Sequence, residues 1–367
     1  MVDPVIELRA SAGPGEIRIA AARDDTLLDF AIWRPNAPDG IGDVYRGRVV
    51  SVVPAMAGAF VTLGDAEGFL PDSEGAKGLS EGMIVAVGIA RAAQGGKGPR
   101  LTAKVAPPPP EGPVGLVRRG PSPLVELAER YPDAPILVDD LSLAAQLRGP
   151  FGARVSVQTG VFGDALATAI DALEQAEVEL PFGGRLSIYP TPALVAIDVD
   201  GGRMVAERRG KIDRHLAMNE AMLGAIAAQI RLRNLSGAIV VDLAGLSVKK
   251  RAALGPSFAA ALADDPLRPR FLGFSALGLA EIVRARRRPP LHEVLAGPHA
   301  AGLAALRALC RDTGSGPATL RAEPAIVTAL RRDSSAQEDF TRRTGRILML
   351  RDDPSLMGWS LETPHEP

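Results

Sequence analysis

The stretch VAIDVDGGRM, residues 195–204, joins an apolar strand to two carboxylates and a double-glycine turn. Asp198 and Asp200 are two positions apart, so in a strand their side chains point to the same face. Two neighbouring carboxylates repel each other, and both resist desolvation. A bound cation would offset this repulsion. The structural alternative is that the aspartates cap the turn at Gly201 and Gly202.

A second apolar strand, AIVVDLAG at residues 238–245, ends with Asp242. A long helical segment, residues 214–234, separates it from the first strand. If this helix joins neighbouring strands, Asp198 and Asp242 meet at the carboxyl end of the sheet, where ligands bind in open α/β sheets. Carboxylate oxygens suit Mg²⁺, or Mn²⁺ in its place, and such a cation polarises phosphates and activates water.

The composition indicates a folded chain with two or three domains, since 46% of its 367 residues are apolar and 23% are charged. The net charge of −1 argues against a uniformly basic nucleic-acid coat. With Cys310 as the sole cysteine, neither an intrachain disulfide nor a cysteine-based zinc site can form. We find no signal peptide and no membrane-spanning run, and we therefore expect a cytoplasmic protein.

After residue 121, alternating strand and helix patterns indicate an α/β layer structure. DALATAIDALEQAEVEL, residues 164–180, has apolar residues at helical spacing throughout. Residues 44–105 instead contain short strands between glycine-rich turns, which predicts a small barrel. The segment APPPPEGP, residues 106–113, reads as a linker.

The barrel carries aromatic and basic residues of the kind that stack bases and neutralise phosphates in single-stranded nucleic acid. These residues are Tyr45, Phe60, Phe69, Arg46, Arg48 and Lys97. Phe60 and Phe69 could equally form the barrel core.

Three basic runs follow in the α/β half: Arg231 with Arg233, Lys249 to Arg251, and Arg284 to Arg288. We predict that they contact backbone phosphates around the acidic site, although solvated helix faces are the alternative.

Several long motifs, in the same order, resemble the bacterial ribonuclease E/G family over nearly the whole chain. They are GDVYRGRVVSVVPAMAGAFVTLGDAEGFLP (42–71), ALVAIDVDGGR (193–203), QIRLRNLSGAIVVDLAGL (229–246) and GFSALGLAEIVRARRR (273–288). The ending LETPHE is similar as well. The resemblance implies an α/β (α+β) multidomain fold, in which an OB-fold β-barrel interrupts an RNase H-like layer and a DNase I-like catalytic domain follows. The implied subdomains are RNase H-like at 1–40 and 121–180, OB-fold at 41–106, linker at 107–120, DNase I-like at 181–297, and a small C-terminal α/β domain at 298–367.

The same resemblance implies magnesium-dependent endonucleolytic cleavage of single-stranded RNA in processing or decay, with ribosomal RNA maturation as one role. It places Asp198 and Asp242 on the metal-binding aspartates and makes Asp198, Asp242 and Asp200 the catalytic set. The implied RNA-binding residues are Tyr45, Phe60, Phe69 and Lys97.

The chain also departs from the family pattern. Asp200 stands where the family usually has asparagine. The zinc-link cysteines are missing, so we expect no zinc, and any homo-oligomer must form without that link. The family's 5′-monophosphate sensor is reduced to the linker, where Arg118 and Arg119 are only loosely placed charges, and a sensor-associated arginine is Ala276. A non-catalytic RNA-binding or ribosome-associated protein of the same fold is the alternative.

Overall fold

A computed structural model describes residues 5–105, 112–180, 183–200, 211–243, 248–312, 314 and 316–362, and it leaves out the side chains of 211–221, 248 and 362. Gly201 and Gly202 of the predicted turn, residues 106–111 of the predicted linker and the end of the chain at 363–367 lie outside the described residues. The chain divides into two compact units. The first unit comprises Met1–Pro38, Pro121–Ala167 and His292–Pro367, and the second comprises Asp39–Gly120 and Thr168–Leu291.

The first unit opens with the antiparallel meander β1 (Ile6–Gly13), β2 (Glu16–Arg23) and β3 (Thr26–Trp33). Leu8, Ala10 and Ile19 lie on its buried face. Alternation of such residues with more exposed ones is what half-buried antiparallel strands require.

The second unit begins with the predicted barrel. Its strands are β4 (Val44–Val53), β5 (Gly58–Thr62), β6 (Glu67–Pro71), β7 (Ile84–Arg91), β8 (Arg100–Thr102) and β9 (Gly115–Arg118). Strands β5, β6, β8, β7 and β4 are neighbours in that order, and pairing of β5 with β4 closes the barrel. The barrel core contains Val49, Ala59, Val61, Leu70, Val87 and Leu101.

The segment predicted as a linker is partly structured. Strand β9 pairs with β4, with Arg118 opposite Val44. Arg119 Nη1 donates to Asp43 Oδ2 at 2.6 Å, and the Gly120 amide donates to Asp43 Oδ1 at 2.7 Å. Arg119 is therefore held in an ion pair, so the prediction that it is loosely placed was wrong.

The chain then returns to the first unit through α1 (Pro123–Arg130), β10 (Ile136–Val138), α2 (Leu141–Phe151) and β11 (Val155–Val157), and α3 (Asp164–Asp171) follows. Strand β10 lies parallel to both β1 and β11, which gives the sheet order β11-β10-β1-β2-β3. Ser122 caps α1, because its Oγ accepts from the Val125 amide at 3.3 Å.

The main sheet of the second unit has the strand order β12-β13-β14-β15-β17-β16. Its strands are β12 (Glu177–Leu180), β13 (Gly184–Pro190), β14 (Val195–Asp200), β15 (Gly237–Asp242), β16 (Arg270–Phe274) and β17 (Ala280–Arg284). The helices between them are α4 (Lys211–Leu232), α5 (Val248–Arg251) and α6 (Gly255–Ala261).

One face of this sheet is buried. Its strands and the helices α4 and α6 share a core that includes Ile197, Val241, Ile226 and Phe258. Strand β12 occupies the end of the segment that has helical spacing, because Glu177–Leu180 pairs antiparallel with β13 and the tertiary pairing overrides local periodicity.

The C-terminal layer contains α7 (Leu291–Val294), α8 (Gly297–Leu309), β18 (Ala318–Ala322), α9 (Pro324–Arg332), α10 (Ser334–Thr344), β19 (Leu348–Asp352) and β20 (Trp359–Glu362). Strand β18 is central, parallel to β19 and antiparallel to β20. The fold is thus mixed α/β with several sheets and a barrel, as predicted at that level, while the subdomain identities stay predictions. Among the described residues, no helix combines the length and apolar character needed to cross a membrane.

Candidate active site

Asp198 and Asp242 lie side by side. Strands β14 and β15 are parallel neighbours whose register pairs Asp198 with Asp242, so the strand adjacency expected from the sequence is confirmed. Neighbouring strands are about 4.8 Å apart, and paired residues point to the same face. Ile197 and Val199 are buried in the core, whereas Asp198, Asp200 and Asp242 are exposed on the opposite face.

A polar row crosses the sheet at the level of these aspartates. Glu177 on β12 is paired with Ser187 on β13, which is paired with Asp198 on β14 and, through it, with Asp242 on β15. Ser187 is only 6% exposed, and it places a hydroxyl-bearing side chain next to Asp198 on the sheet. The open face of the sheet is therefore lined with oxygen atoms at the carboxyl ends of β14 and β15.

Arg251 holds Asp242 in place. Its Nη1 donates to Asp242 Oδ1 at 2.7 Å and to the Gly278 carbonyl at 2.7 Å, while its Nη2 donates to the Leu243 carbonyl at 2.6 Å. Arg251 is 12% exposed and Asp242 is 53% exposed, so the cation lies beneath the carboxylate. Arg251 thus orients and partly neutralises Asp242, and it is committed to these contacts, contrary to the predicted contact with phosphate.

Asp200 faces a cation that sequence reasoning missed. Arg185 on β13 is its register partner, with Nη2 at 3.7 Å from Asp200 Oδ2, and Arg185 also pairs with Glu177 at 3.3 Å. Arg185 and Asp200 are both about half exposed, at 53% and 55%. The signal was the alternation in RLSIYP, residues 185–190, which puts Arg185 on the same side of the strand as Ser187.

The other basic runs also contain structural arginines. Arg233 is 7% exposed and donates to the carbonyls of Gln175 at 2.6 Å and Ala172 at 3.0 Å, and burial lowers its pKa to about 10. Arg284 is 3% exposed and pairs with Asp265 at 2.7 Å. The prediction that these two residues contact phosphates was therefore wrong, because buried carbonyls and a buried carboxylate already hold them.

Phe60 and Phe69 form a pair on the outer surface of the barrel. They are register partners on β5 and β6, their ring centroids are 5.3 Å apart, and their planes meet at 61°. Both are partly exposed, and they alternate with the buried core residues Ala59, Val61 and Leu70. A Cβ on Gly58 would lie 2.5 Å from Cζ of Phe69, so the glycine lets this ring lie against the backbone. The alternative that both rings are barrel core was wrong.

The other barrel candidates differ from this pair. Tyr45 packs against the barrel core, and its hydroxyl donates to Asp43 Oδ2 at 3.4 Å. Burial, with a smaller contribution from the Asp43 carboxylate, raises the pKa of Tyr45. Lys97 is exposed in a tight turn where it exchanges backbone hydrogen bonds of 3.1 Å with Gln94. Arg46, which is 9% exposed, donates to the Pro113 carbonyl at 3.3 Å.

The ligand set that the protein offers to a cation is small. Within the described ranges, no group of three or more His, Cys, Asp or Glu residues has an arrangement suited to a metal ion. Asp198 and Asp242 remain as a paired set of oxygen donors at an exposed sheet end. Magnesium is commonly bound by one or two carboxylates while it keeps several waters, so this pair fits magnesium.

Comparison with known proteins places the family match on the part of the chain that carries these carboxylates. Residues 158–287 match the model of the Ribonuclease E/G family. The chain is 38% identical over 125 residues to Ribonuclease G of Escherichia coli strain K12, which covers 34% of this chain and 25% of that protein. It is 35% identical over 133 residues to Ribonuclease E of Synechocystis sp., a match that covers 36% of this chain and 19% of that protein. It is also 35% identical over 158 residues to Ribonuclease E of E. coli strain K12, a match that covers 41% of this chain and 15% of that protein. The matching segments thus span a quarter or less of these relatives.

Proposed function

Because residues 158–287 match the model of the Ribonuclease E/G family, we propose that this chain is a member of that family and a metal-dependent endoribonuclease that cleaves single-stranded RNA. The observation that carries the proposal is the register pairing of Asp198 with Asp242 on parallel strands inside the matched segment. Two carboxylates fixed side by side repel each other, and Arg251 offsets only the charge of Asp242, so a bound cation would further stabilise the pair. Processing or decay of cellular RNA, with ribosomal RNA precursors as one substrate class, is the corresponding role.

Asp198 and Asp242 would hold the magnesium ion, which when bound supplies positive charge to the phosphodiester and a more acidic water. Arg251 positions Asp242 by donating to its Oδ1, while hydrogen bonds to the Gly278 and Leu243 carbonyls fix the guanidinium itself. Asp200 with Arg185 forms the flank of the site.

The barrel would hold the single strand. Phe60 and Phe69 offer partly exposed ring faces on neighbouring strands, and stacking on aromatic rings tolerates any base. Lys97, exposed in its turn, would add a phosphate contact. Tyr45 supports the barrel wall through Asp43 and contributes to RNA binding indirectly.

The test is cleavage of a fluorescent single-stranded RNA with magnesium, with manganese and with chelator. We expect cutting with either metal and none with chelator. Asp198→Asn and Asp242→Asn keep the side-chain shape but remove one charge, and each should abolish cutting while largely sparing RNA binding. Glu281→Gln is the matched control, because Glu281 is an exposed carboxylate on neighbouring β17, paired with Val240.

Two results would contradict the proposal. If either aspartate variant cut RNA at the wild-type rate, the assignment of Asp198 and Asp242 as metal ligands would be wrong. RNA binding by the wild type without cutting under any metal would instead favour the non-catalytic RNA-binding or ribosome-associated protein. Isothermal titration with magnesium gives a second readout, since heat of binding should vanish in both aspartate variants and persist in the Glu281→Gln control.

A further inference from the structure

A group of three arginines lies in the second unit, apart from the carboxylates. Arg91 ends strand β7, and Arg100 begins the neighbouring strand β8 and is its register partner. Arg286 follows strand β17 of the main sheet. From these residues we propose a phosphate-binding site, formed by Arg91, Arg100 and Arg286, that holds an internal phosphate of single-stranded RNA. The identity of the ligand as RNA rests on the proposed function.

Two of the arginines lie on the barrel strands that follow the aromatic pair in the sheet order. Register pairs run from Phe60 to Phe69, from Phe69 to Arg100, and from Arg100 to Arg91, across β5, β6, β8 and β7. Cross-strand partners in a regular ladder are about 4.8 Å apart and point to the same face. The pairing of Arg91 with Arg100 follows a β-bulge between Ile89 and Arg91, which locally turns the strand. A strand of RNA whose bases stack on the two rings would therefore meet guanidinium groups on the adjacent strands.

The third arginine comes from the main sheet of the same unit. The Ala92 amide donates to the Arg287 carbonyl at 2.8 Å, which ties the end of β7 to the segment after β17. A Cβ on Gly237 would lie 2.6 Å from Nη2 of Arg286, so this guanidinium lies against the first residue of β15. Burial, together with the charges of Arg100 and Arg286, lowers the pKa of Arg91, as expected if the three cations are close.

In the part of the chain that the structure describes, these cations make no ion pair, and Glu74, the carboxylate whose pKa the charge of Arg100 helps to lower, is held by Thr102 and Lys104. There, Arg91, Arg100 and Arg286 have no carboxylate partner within ion-pair distance, and the Nε of Arg91 is buried without a hydrogen-bond partner. Arg284 in the neighbouring structural cluster is, by contrast, neutralised by Asp265. Like charges held together without an anion destabilise a fold, whereas a bound phosphate accepts their hydrogen bonds and relieves the repulsion.

The position of the group indicates which phosphate it binds. Arg286 lies at Gly237, the start of β15, whereas Asp242 ends that strand. Five residues of strand span roughly 17 Å at a rise of about 3.3 Å per residue. The phosphate held by the arginines is therefore distinct from the one beside the carboxylates, and the site would fix the strand at a distance from the cleaved bond.

The test measures binding without cleavage. Fluorescence anisotropy with a 3′-labelled 15-nucleotide oligouridine is recorded in chelator, at 50 to 300 mM salt, with the full chain. Arg100→Met and Arg286→Met are the main variants because both side chains are exposed, with Arg91→Met as a third. Arg332→Met, an exposed arginine at the end of α9 in the other unit, is the matched control. Thermal melting checks that each variant folds.

We expect each main variant to bind 5′-hydroxyl RNA roughly 3- to 10-fold more weakly than the wild type at low salt. The slope of log Kd against log salt should be smaller than that of the wild type by about 0.7, the value for one phosphate contact on a single strand. RNA with a 5′-monophosphate should lose the same factor. Binding of both main variants indistinguishable from the control at every salt would overturn the site, and a loss confined to 5′-monophosphate RNA would overturn its assignment to an internal phosphate. If the wild type never cuts RNA but these losses are seen, the proposed activity fails and the site stands.

Discussion

Asp200 carries a negative charge at the edge of the carboxylate pair, and replacing it by asparagine tests how the site tolerates that charge. We expect Asp200→Asn to leave RNA cleavage intact or to raise it. Asp200 is two residues from Asp198 on one face of β14, at roughly 6.7 Å. At this distance in a water-like surrounding, a unit charge repels a phosphate bound beside Asp198 by about 0.6 kcal/mol, or roughly threefold in rate.

Arg185 reduces this effect in the wild type. Its Nη2 is 3.7 Å from the Asp200 carboxylate, where the attraction in a water-like surrounding is about 1 kcal/mol. Because both side chains are half exposed, the measured coupling should be at most that large. Since Arg185 can offset no more than the Asp200 repulsion itself, we expect Arg185→Gln to slow cleavage up to about threefold in the presence of Asp200, and to have little effect when Asp200 is already asparagine.

The assay is a double-mutant cycle on kcat/KM for a labelled single-stranded RNA at 50 and 300 mM salt. Screening should shrink the coupling at the higher salt. Glu179→Gln is the matched control, since it removes an exposed carboxylate that is also the register partner of Arg185 but lies farther from Asp198. A loss of activity in Asp200→Asn as complete as in Asp198→Asn would refute the reasoning and make Asp200 a metal ligand.

Three further expectations concern the barrel, the core and the RNA end. Phe60→Ala and Phe69→Ala should each weaken RNA binding about 5- to 150-fold, equivalent to about 1 to 3 kcal/mol of stacking, whereas unchanged affinity with a lower Tm would show that the rings only pack. Arg284→Met leaves the buried Asp265 without its ion pair and should lower the free energy of unfolding, measured in urea, by about 3 to 5 kcal/mol. The control Arg270→Met changes an exposed arginine and should lower it by less than about 0.5 kcal/mol, and equal effects of the two variants would contradict this expectation. RNAs with 5′-monophosphate, 5′-hydroxyl and 5′-triphosphate ends should be cut within a few-fold of one another, and a tenfold preference for the monophosphate, about 1.4 kcal/mol, would reveal an end sensor.

The elements that carry local patterns could be predicted from the sequence. Two apolar strands ending in Asp198 and Asp242, joined by one long helix, indicate parallel neighbours because such crossovers pack a helix onto the sheet. The structure confirms that adjacency and adds the register, which pairs Asp198 with Asp242. The barrel was predictable from its own local pattern, because short strands joined by glycine-rich turns have few other arrangements.

The residues that depend on distant partners could not be predicted. Arg233, Arg251 and Arg284 stand in basic runs that look the same whether the side chains face solvent or buried carbonyls, and their partners are set by tertiary packing. The outward direction of Phe60 was also hidden, because it stands between Ala59 and Val61 and an all-apolar run shows no alternation.

The seam between β4 and β9 has a consequence for how the barrel segment could be moved between proteins. Arg118 is opposite Val44, and Asp43 receives the Gly120 amide, so the two ends of the 39–120 segment are bonded to each other. A segment whose ends already lie together can be inserted into a loop of another protein with little loss of loop-closure entropy. Gly120 allows the two ends to approach closely, because a Cβ at this position would lie 2.1 Å from the Ile41 carbonyl oxygen. A larger residue at position 120 would therefore push the two ends of the segment apart.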